Sequence, residues 1–328
     1  MDQAIDVLKS ARQVLVIQGE NPDGDSLASA LALEAVLGEQ GKQIYLYCAV
    51  EMPRYLRYLS GWDRVSAQLP PDWDAAVLVD ASTAPLIQRL LTPANIRRLG
   101  GKPFVIIDHH APQPELAVKS IDVIESAAVS TGQIIYGLIK AADWSLSASA
   151  AGMLAASILS DSLGLSSPKT TADSIRILAD LVDSGADLNQ LDEARRELNR
   201  KSLDIFRYKG QLFERVELAL DNRLAMVTIP WEEIAQYSDA YNPSMLIIDE
   251  MRLIDGVSLA AAFKTYPDGK VTAKLRANSD ARFMDQLAEH FGGGGHPFAA
   301  GFKVLDTPFE TLKTEFISVV KTMLEKPL

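Results

Sequence analysis

The chain has 328 residues, 48% apolar and 23% charged, with a net charge of −11; this length suits about two domains and the balance argues against a disordered chain. The negative charge disfavours a protein that holds long nucleic acid by neutralising many phosphates, so any phosphate ligand is expected to be small or gripped locally. A single cysteine, Cys48, excludes an internal disulfide. Together with an opening MDQAID that lacks a signal-peptide pattern, and no apolar run near ~18 residues, it leads us to expect a cytoplasmic protein.

The N-terminal part alternates short apolar runs with helical patterns. Strands are predicted at 13–18, 42–47, 74–79, 102–107 and 120–124, and helices at 26–40 (closed by Gly41), 131–142, 147–159 and 171–184. Strands alternating with helices predict an α/β fold: a mostly parallel sheet covered by helices on both faces. The charged stretch 191–217 reads as a helical connector, or alternatively as the last helix pair of the first domain. Beyond it, strands are predicted at 223–229, 256–263, 270–275 and 301–304. A turn lies at 266–269, helices at 280–290 and 308–324, and a glycine loop, Gly292 to Gly295, precedes His296. The expected domains are 1–190 and a smaller α+β domain, 218–328, with a cleft between them.

Three acidic clusters each follow an apolar strand: Asn21-Pro22-Asp23-Gly24-Asp25, then Asp80, then Asp108-His109-His110. Ligands of an open parallel sheet bind at the carboxyl ends of its strands. One crevice would therefore collect Asp23, Asp25, Asp80, Asp108, His109 and His110, and so many acids call for a cation. Singly, Asp23-Gly24-Asp25 reads equally as a turn and helix cap, and Asp80 as a loop residue; the coincidence of three strand ends favours a site. In the second part, consecutive glycines let a backbone approach an anion. Arg276 and His296 are nearby, and residues 256–303 carry six Lys or Arg against four Asp or Glu. That segment is net positive, which fits local phosphate capture.

The order NPDGD, LVDAS (78–82), IDHH (107–110), SDSLGL (160–165) and GGGGHPFAAG (292–301) resembles the DHH phosphoesterase superfamily. The resemblance is to members with a C-terminal DHH-associated domain, such as the bacterial nanoRNase and pAp phosphatase group. It implies that Asp80 bridges two manganese ions, that Asp25, His109 and Asp161 complete the second ion's ligands, and that Asp23 serves the first. His110, with Asp108 beside it, would act at the phosphate and attacking water. Arg276, Gly293, Gly294, Gly295 and His296 would hold the nucleotide or its phosphate. Mn²⁺ suits the mixed ligands, with Mg²⁺ or Co²⁺ as alternatives. One departure stands out: Gly19 occupies the place of the usual first-site histidine, leaving Glu20, Asn21 or water to fill it.

The expected activity is hydrolysis of short RNA or DNA oligonucleotides, or of small nucleotides such as pAp, by a metal-activated water. Within the same class, a cyclic- or linear-dinucleotide phosphodiesterase is the nearest variant. Outside it stands an impaired family member that binds nucleotide or RNA as a sensor. No membrane partner is expected, and a homodimer is compatible with the sequence.

Overall fold

The computed structural model describes residues 1–110, 116–238 and 241–325; the expected end of the second domain, at 328, lies outside them. The chain divides into two compact units, Met1–Arg200 and Lys201–Leu328.

The first unit runs α1 (Asp2–Ser10), β1 (Gln13–Gln18), α2 (Gly24–Glu39), β2 (Gln43–Tyr47), β3 (Ala75–Val79), α3 (Pro93–Gly100), β4 (Phe104–Asp108), β5 (Ile121–Ile124), α4 (Thr131–Ala142), α5 (Ala148–Asp161), α6 (Ala172–Asp183) and α7 (Leu188–Leu198). Its five strands are all parallel, in the order β2-β1-β3-β4-β5. Continuous apolar runs suit strands covered on both sides. Val14 and Val16 join a core with α2, α4 and α5 on one face, while Leu15 and Ile17 join a second core with Trp73, Ile87 and Leu99 on the other. Helix α2 is buried nearly all round because it is apolar nearly all round, and it packs on β1, α4 and α5. At its start a reciprocal cap joins Asp23 and Ser26. Gly24 permits this closeness, since a Cβ there would meet Ser160 Oγ of α5 at 2.3 Å.

The second unit runs α8 (Leu203–Glu214), β6 (Glu217–Ala219), β7 (Leu224–Ile229), α9 (Trp231–Tyr237), α10 (Ile248–Met251), β8 (Leu259–Thr265), β9 (Val271–Ala277), α11 (Met284–His290), β10 (Gly294–His296), β11 (Ala299–Val304) and α12 (Phe309–Leu324). Its sheet has the order β10-β11-β9-β8-β7-β6, antiparallel except for β7–β8. Helices α11 and α12 share one core with Val271, Ala273 and Leu275 of β9. The opposite face is covered over β7 and β8 by residues of α8, α9 and α10. On that side β9 carries Thr272, Lys274 and Arg276, all half-buried.

Residues 191–217, read as a connector, contain most of α7 and all of α8. Helix α7 packs on α5 and belongs to the first unit, and α8 belongs to the second. The glycine stretch is not wholly a loop. Gly294–His296 pairs antiparallel with β11 as an edge strand. The tight pairing demands glycine: at Gly295 (φ +150°) a Cβ would come within 2.5 Å of Ala300 Cα. Among the described residues no helix is long and apolar enough to cross a membrane.

Candidate metal and phosphate sites

The ends of β1 and β3 flank the point where the strand order reverses, and the end of β4 lies beside β3. A crevice opens at such a place. The structure brings four of the expected residues together around one atom. Nε2 of the buried His109 lies 3.1 Å from Asp161 Oδ2, 3.5 Å from Asp80 Oδ1 and 3.7 Å from Asp25 Oδ2. Among the described residues neither ring nitrogen of His109 has a hydrogen-bond partner. Buried polar atoms are rarely left so. Two groups that share His109, Asp25–His109–Asp161 and Asp80–His109–His110, each bring three donor atoms within 4.8 Å of one another, and such mixed imidazole and carboxylate donors fit a divalent cation.

Electrostatics point the same way. Burial, then the nearby Asp161 charge, pushes the Asp25 carboxyl up to about 6, against hydrogen bonds from Ser157 and Thr131 that favour the charged form. Burial, then Asp25, Asp23 and Asp161, raises Asp80 well above the usual carboxylate range. A bound cation would reverse both effects. Asp80 also stands in the left-handed backbone region, with φ 57°, at the turn that ends β3.

Supporting groups come from helices whose role the sequence did not reveal. Thr131 N–H donates to Asp25 Oδ2 at 2.7 Å, and Thr131 Oγ1 donates to Asp80 Oδ1 at 3.0 Å. Gly132 N–H and Ser157 Oγ donate to Asp25 Oδ1, at 3.3 and 2.5 Å. Two carboxylates are thus held by the first turn of α4 and one serine of α5. The available signal was Ser157 itself, a polar residue on an otherwise apolar helical stripe.

Asp108 lies against His110. Its Oδ1 accepts from His110 Nδ1 at 2.7 Å and from the His110 backbone N–H at 3.1 Å. Burial opposes ionisation of Asp108, but the bonds from His110, with Ser82 contributing, outweigh it and hold the carboxyl below its usual value. The same bond to Asp108 raises the His110 pKa. Asp108 therefore fixes His110 and makes no part of the donor ring.

Asp23 is exposed, and its Oδ1 is engaged as the α2 cap, accepting from Ser26 N–H at 3.0 Å. It does not enter the donor groups. At Gly19 a Cβ would make ordinary contacts, 3.5 Å to Ala81 Cβ and 3.6 Å to the Leu86 carbonyl oxygen. The Glu20 carboxylate is engaged by Arg89: it accepts from the Arg89 backbone N–H at 2.5 Å and pairs with the Arg89 guanidinium at 3.3 Å.

In the second unit, a pocket of about 640 Å³ is lined by Arg276, Gly293, Gly294 and Gly295 among others. The register aligns His296 with Ala299, and Ala299 with Arg276, so Arg276 and the exposed His296 share one face of the sheet.

Residues 13–158 match the DHH family, N-terminal domain. The first unit thus carries a domain that matches the DHH family. It is 27% identical over 302 residues to the bifunctional oligoribonuclease and PAP phosphatase NrnA of Thermus thermophilus, covering 90% of this chain and 86% of that protein. It is 24% identical over 296 residues to a probable protein of the same description from Streptococcus mutans, covering 90% of each. Among solved structures, an exopolyphosphatase-related protein from Bacteroides fragilis superposes with a TM-score of 0.83 at 19% identity, over 99% of this chain and 97% of that one. This last likeness concerns the fold.

Proposed function

We propose that this protein is a metal-dependent phosphoesterase that hydrolyses short oligonucleotides and small nucleotides such as pAp. The observation that carries the reading is the unpartnered His109 Nε2 within 3.7 Å of three carboxylates. Asp25, Asp80, His109 and Asp161 would hold a divalent ion, Mn²⁺ by donor type, with Mg²⁺ or Co²⁺ as alternatives. When bound, the ion would lower the pKa of a water and offset charge on the phosphoryl group. His110, its Nδ1 fixed by Asp108, leaves Nε2 to exchange a proton at the phosphate. Arg276, His296 and the Gly293–Gly295 backbone would grip the nucleotide, giving a catalytic unit over 1–190 and a substrate-gripping unit over 218–328. NrnA relatives named for oligoribonuclease and PAP phosphatase activity support the substrate class. The test is purified protein with Mn²⁺ against pAp, dinucleotides and five-residue RNA. Turnover of these in preference to long RNA is expected, and inactivity on all of them at saturating metal overturns the reading.

One observation favours a second reading, a nucleotide-binding module without turnover. The first-ion position has glycine at 19, Glu20 tied to Arg89, and Asp23 tied to the cap of α2. Calorimetric titration should then find one Mn²⁺ per chain. Gly19→His, whose Cβ meets no clash, should add a second ion. Tenfold tighter binding there would correspond to about 1.4 kcal/mol. A wild-type chain that binds two ions with similar affinity would remove the ground for this reading.

A further inference from the structure

The pocket of the second unit holds more positive charge than one phosphate requires. In the sheet register Lys274 lies beside Ala262 on one side and Gly301 on the other, while Thr272 lies between Lys264 and Lys303. Directly paired residues point to the same face and alternate residues of a strand return to it. Arg276, Lys274 and the Lys264–Thr272–Lys303 row therefore form three successive steps across one face. All five residues line the pocket, and among the described residues no Asp or Glu does.

Among the described residues these lysines lack the carboxylate partners that other lysines have. Lys264 Nζ donates to the Asn242 side-chain carbonyl at 2.7 Å, and Lys274 Nζ to the Met245 sulfur at 3.4 Å. Among the described residues none of the three lysines has a carboxylate within 4.0 Å, whereas Lys102, Lys209 and Lys313 each have one. Asp249 comes within 3.9 Å of Arg276 Nε but is engaged more closely by Arg252, at 3.1 Å. Half-burial, and then repulsion from Lys274, lowers the Lys264 pKa; half-burial, then Arg276, lowers that of Lys274. Clustered cations at the edge of a core cost stability unless an anion compensates them. Gly301 and Gly294, in the row of Lys274, have no side chains to cover it.

We propose that Lys264, Lys274 and Lys303 form a second phosphate subsite, which takes the phosphate next along the chain from one held at Arg276 and His296. This rests on the reading that Arg276 and His296 grip phosphate. Same-face positions along β9 are about 7 Å apart, a spacing that suits successive phosphates of a single strand. The preferred substrate is then a nucleotide chain with at least two phosphate groups.

The test is calorimetric binding to the full-length protein, chelated to prevent turnover, with ApA, 5′-phosphorylated pApA and pAp as probes. Wild type should bind pApA at least tenfold tighter than ApA. Lys264→Gln/Lys274→Gln should cut that preference below threefold, leave ApA affinity within twofold, and flatten the salt dependence of pApA binding by about 0.7 per lost contact. Lys264→Arg/Lys274→Arg should restore the preference, which separates lost charge from lost folding. If pAp shares the lysine dependence, the second phosphate can come from the same nucleoside; if only pApA does, it comes from the next nucleotide. A wild-type protein indifferent to the added phosphate, or a preference that survives in the Gln variant, overturns the proposal. Failure to hydrolyse any substrate with Mn²⁺, with the binding preference intact, would sink the enzymatic reading and leave the subsite standing.

Discussion

Asp80 combines a demanding backbone with a demanding side chain. A left-handed φ costs an ordinary residue roughly 1 kcal/mol or more, but asparagine tolerates it almost as aspartate does. Asp80→Asn should therefore keep the fold, and it removes a buried charge facing Asp25, Asp23 and Asp161. Mn²⁺ affinity should fall at least a hundredfold while the chelated variant melts no lower than chelated wild type. Normal ion binding by this variant in a calorimeter would exclude Asp80 as a ligand. Asp25 adds a pH dependence. Its folded pKa of about 6 lies above the ordinary 3.8, so between those values the folded, metal-free protein binds more protons than the unfolded one. Its contribution to stability then declines as pH rises through that window. An ion needs the carboxylate form. The melting-temperature gap between Mn²⁺-loaded and chelated protein should accordingly be wide at pH 7.5 and shrink as pH falls below about 6. An unchanged gap at pH 5 would mean that Asp25 holds no ion.

At the scale of elements, the site depends on how closely α4 meets α5. A Cβ on Gly132 would lie 2.1 Å from Ser157 Oγ, the hydroxyl that bonds Asp25, whereas Gly152 of α5 has nothing within 4 Å. Gly132→Ala should lower the melting temperature by several degrees and weaken Mn²⁺ binding. Gly152→Ala, by contrast, should raise stability by about 0.5–1 kcal/mol with binding unchanged. Equal effects from the two would show that the α4–α5 contact does not support Asp25. This contact also marks where the sequence stopped being legible. Acids and histidines directly after apolar strands could be read, because strand ends converge in any parallel sheet. Ser130-Thr131-Gly132 looks like any helix cap, and Ser157 matters only once α5 is packed against α2. The same holds for Asp23, whose cap role and ligand role look alike in a sequence. The glycine run signalled a close backbone approach, but its pairing with β11 depends on Ala299–Gly301 across the hairpin.

For the whole molecule, each unit contains its own pair of apolar cores, as independent folding units do. Scanning calorimetry should resolve two transitions, with Mn²⁺ raising only that of Met1–Arg200. At a hundred times the dissociation constant the gain is about 2.7 kcal/mol. A single transition, or an equal rise in both, would contradict this. The two-part architecture was readable from the change of strand and helix pattern. Helices α1 and α3 were not anticipated: each is a single short amphipathic piece of two to three turns, too brief for its periodicity to stand out. Finally, the donor ring is unevenly shielded. Asp25, Asp80 and His109 side chains are at most 5% exposed, but Asp161 is 26% and His110 53% exposed. The crevice thus has a floor and a mouth. If the ring holds the reacting phosphate as proposed, Asp161 at the end of α5 and His110 are the members open to solvent, and substitutions there would be felt by a ligand before those on the floor.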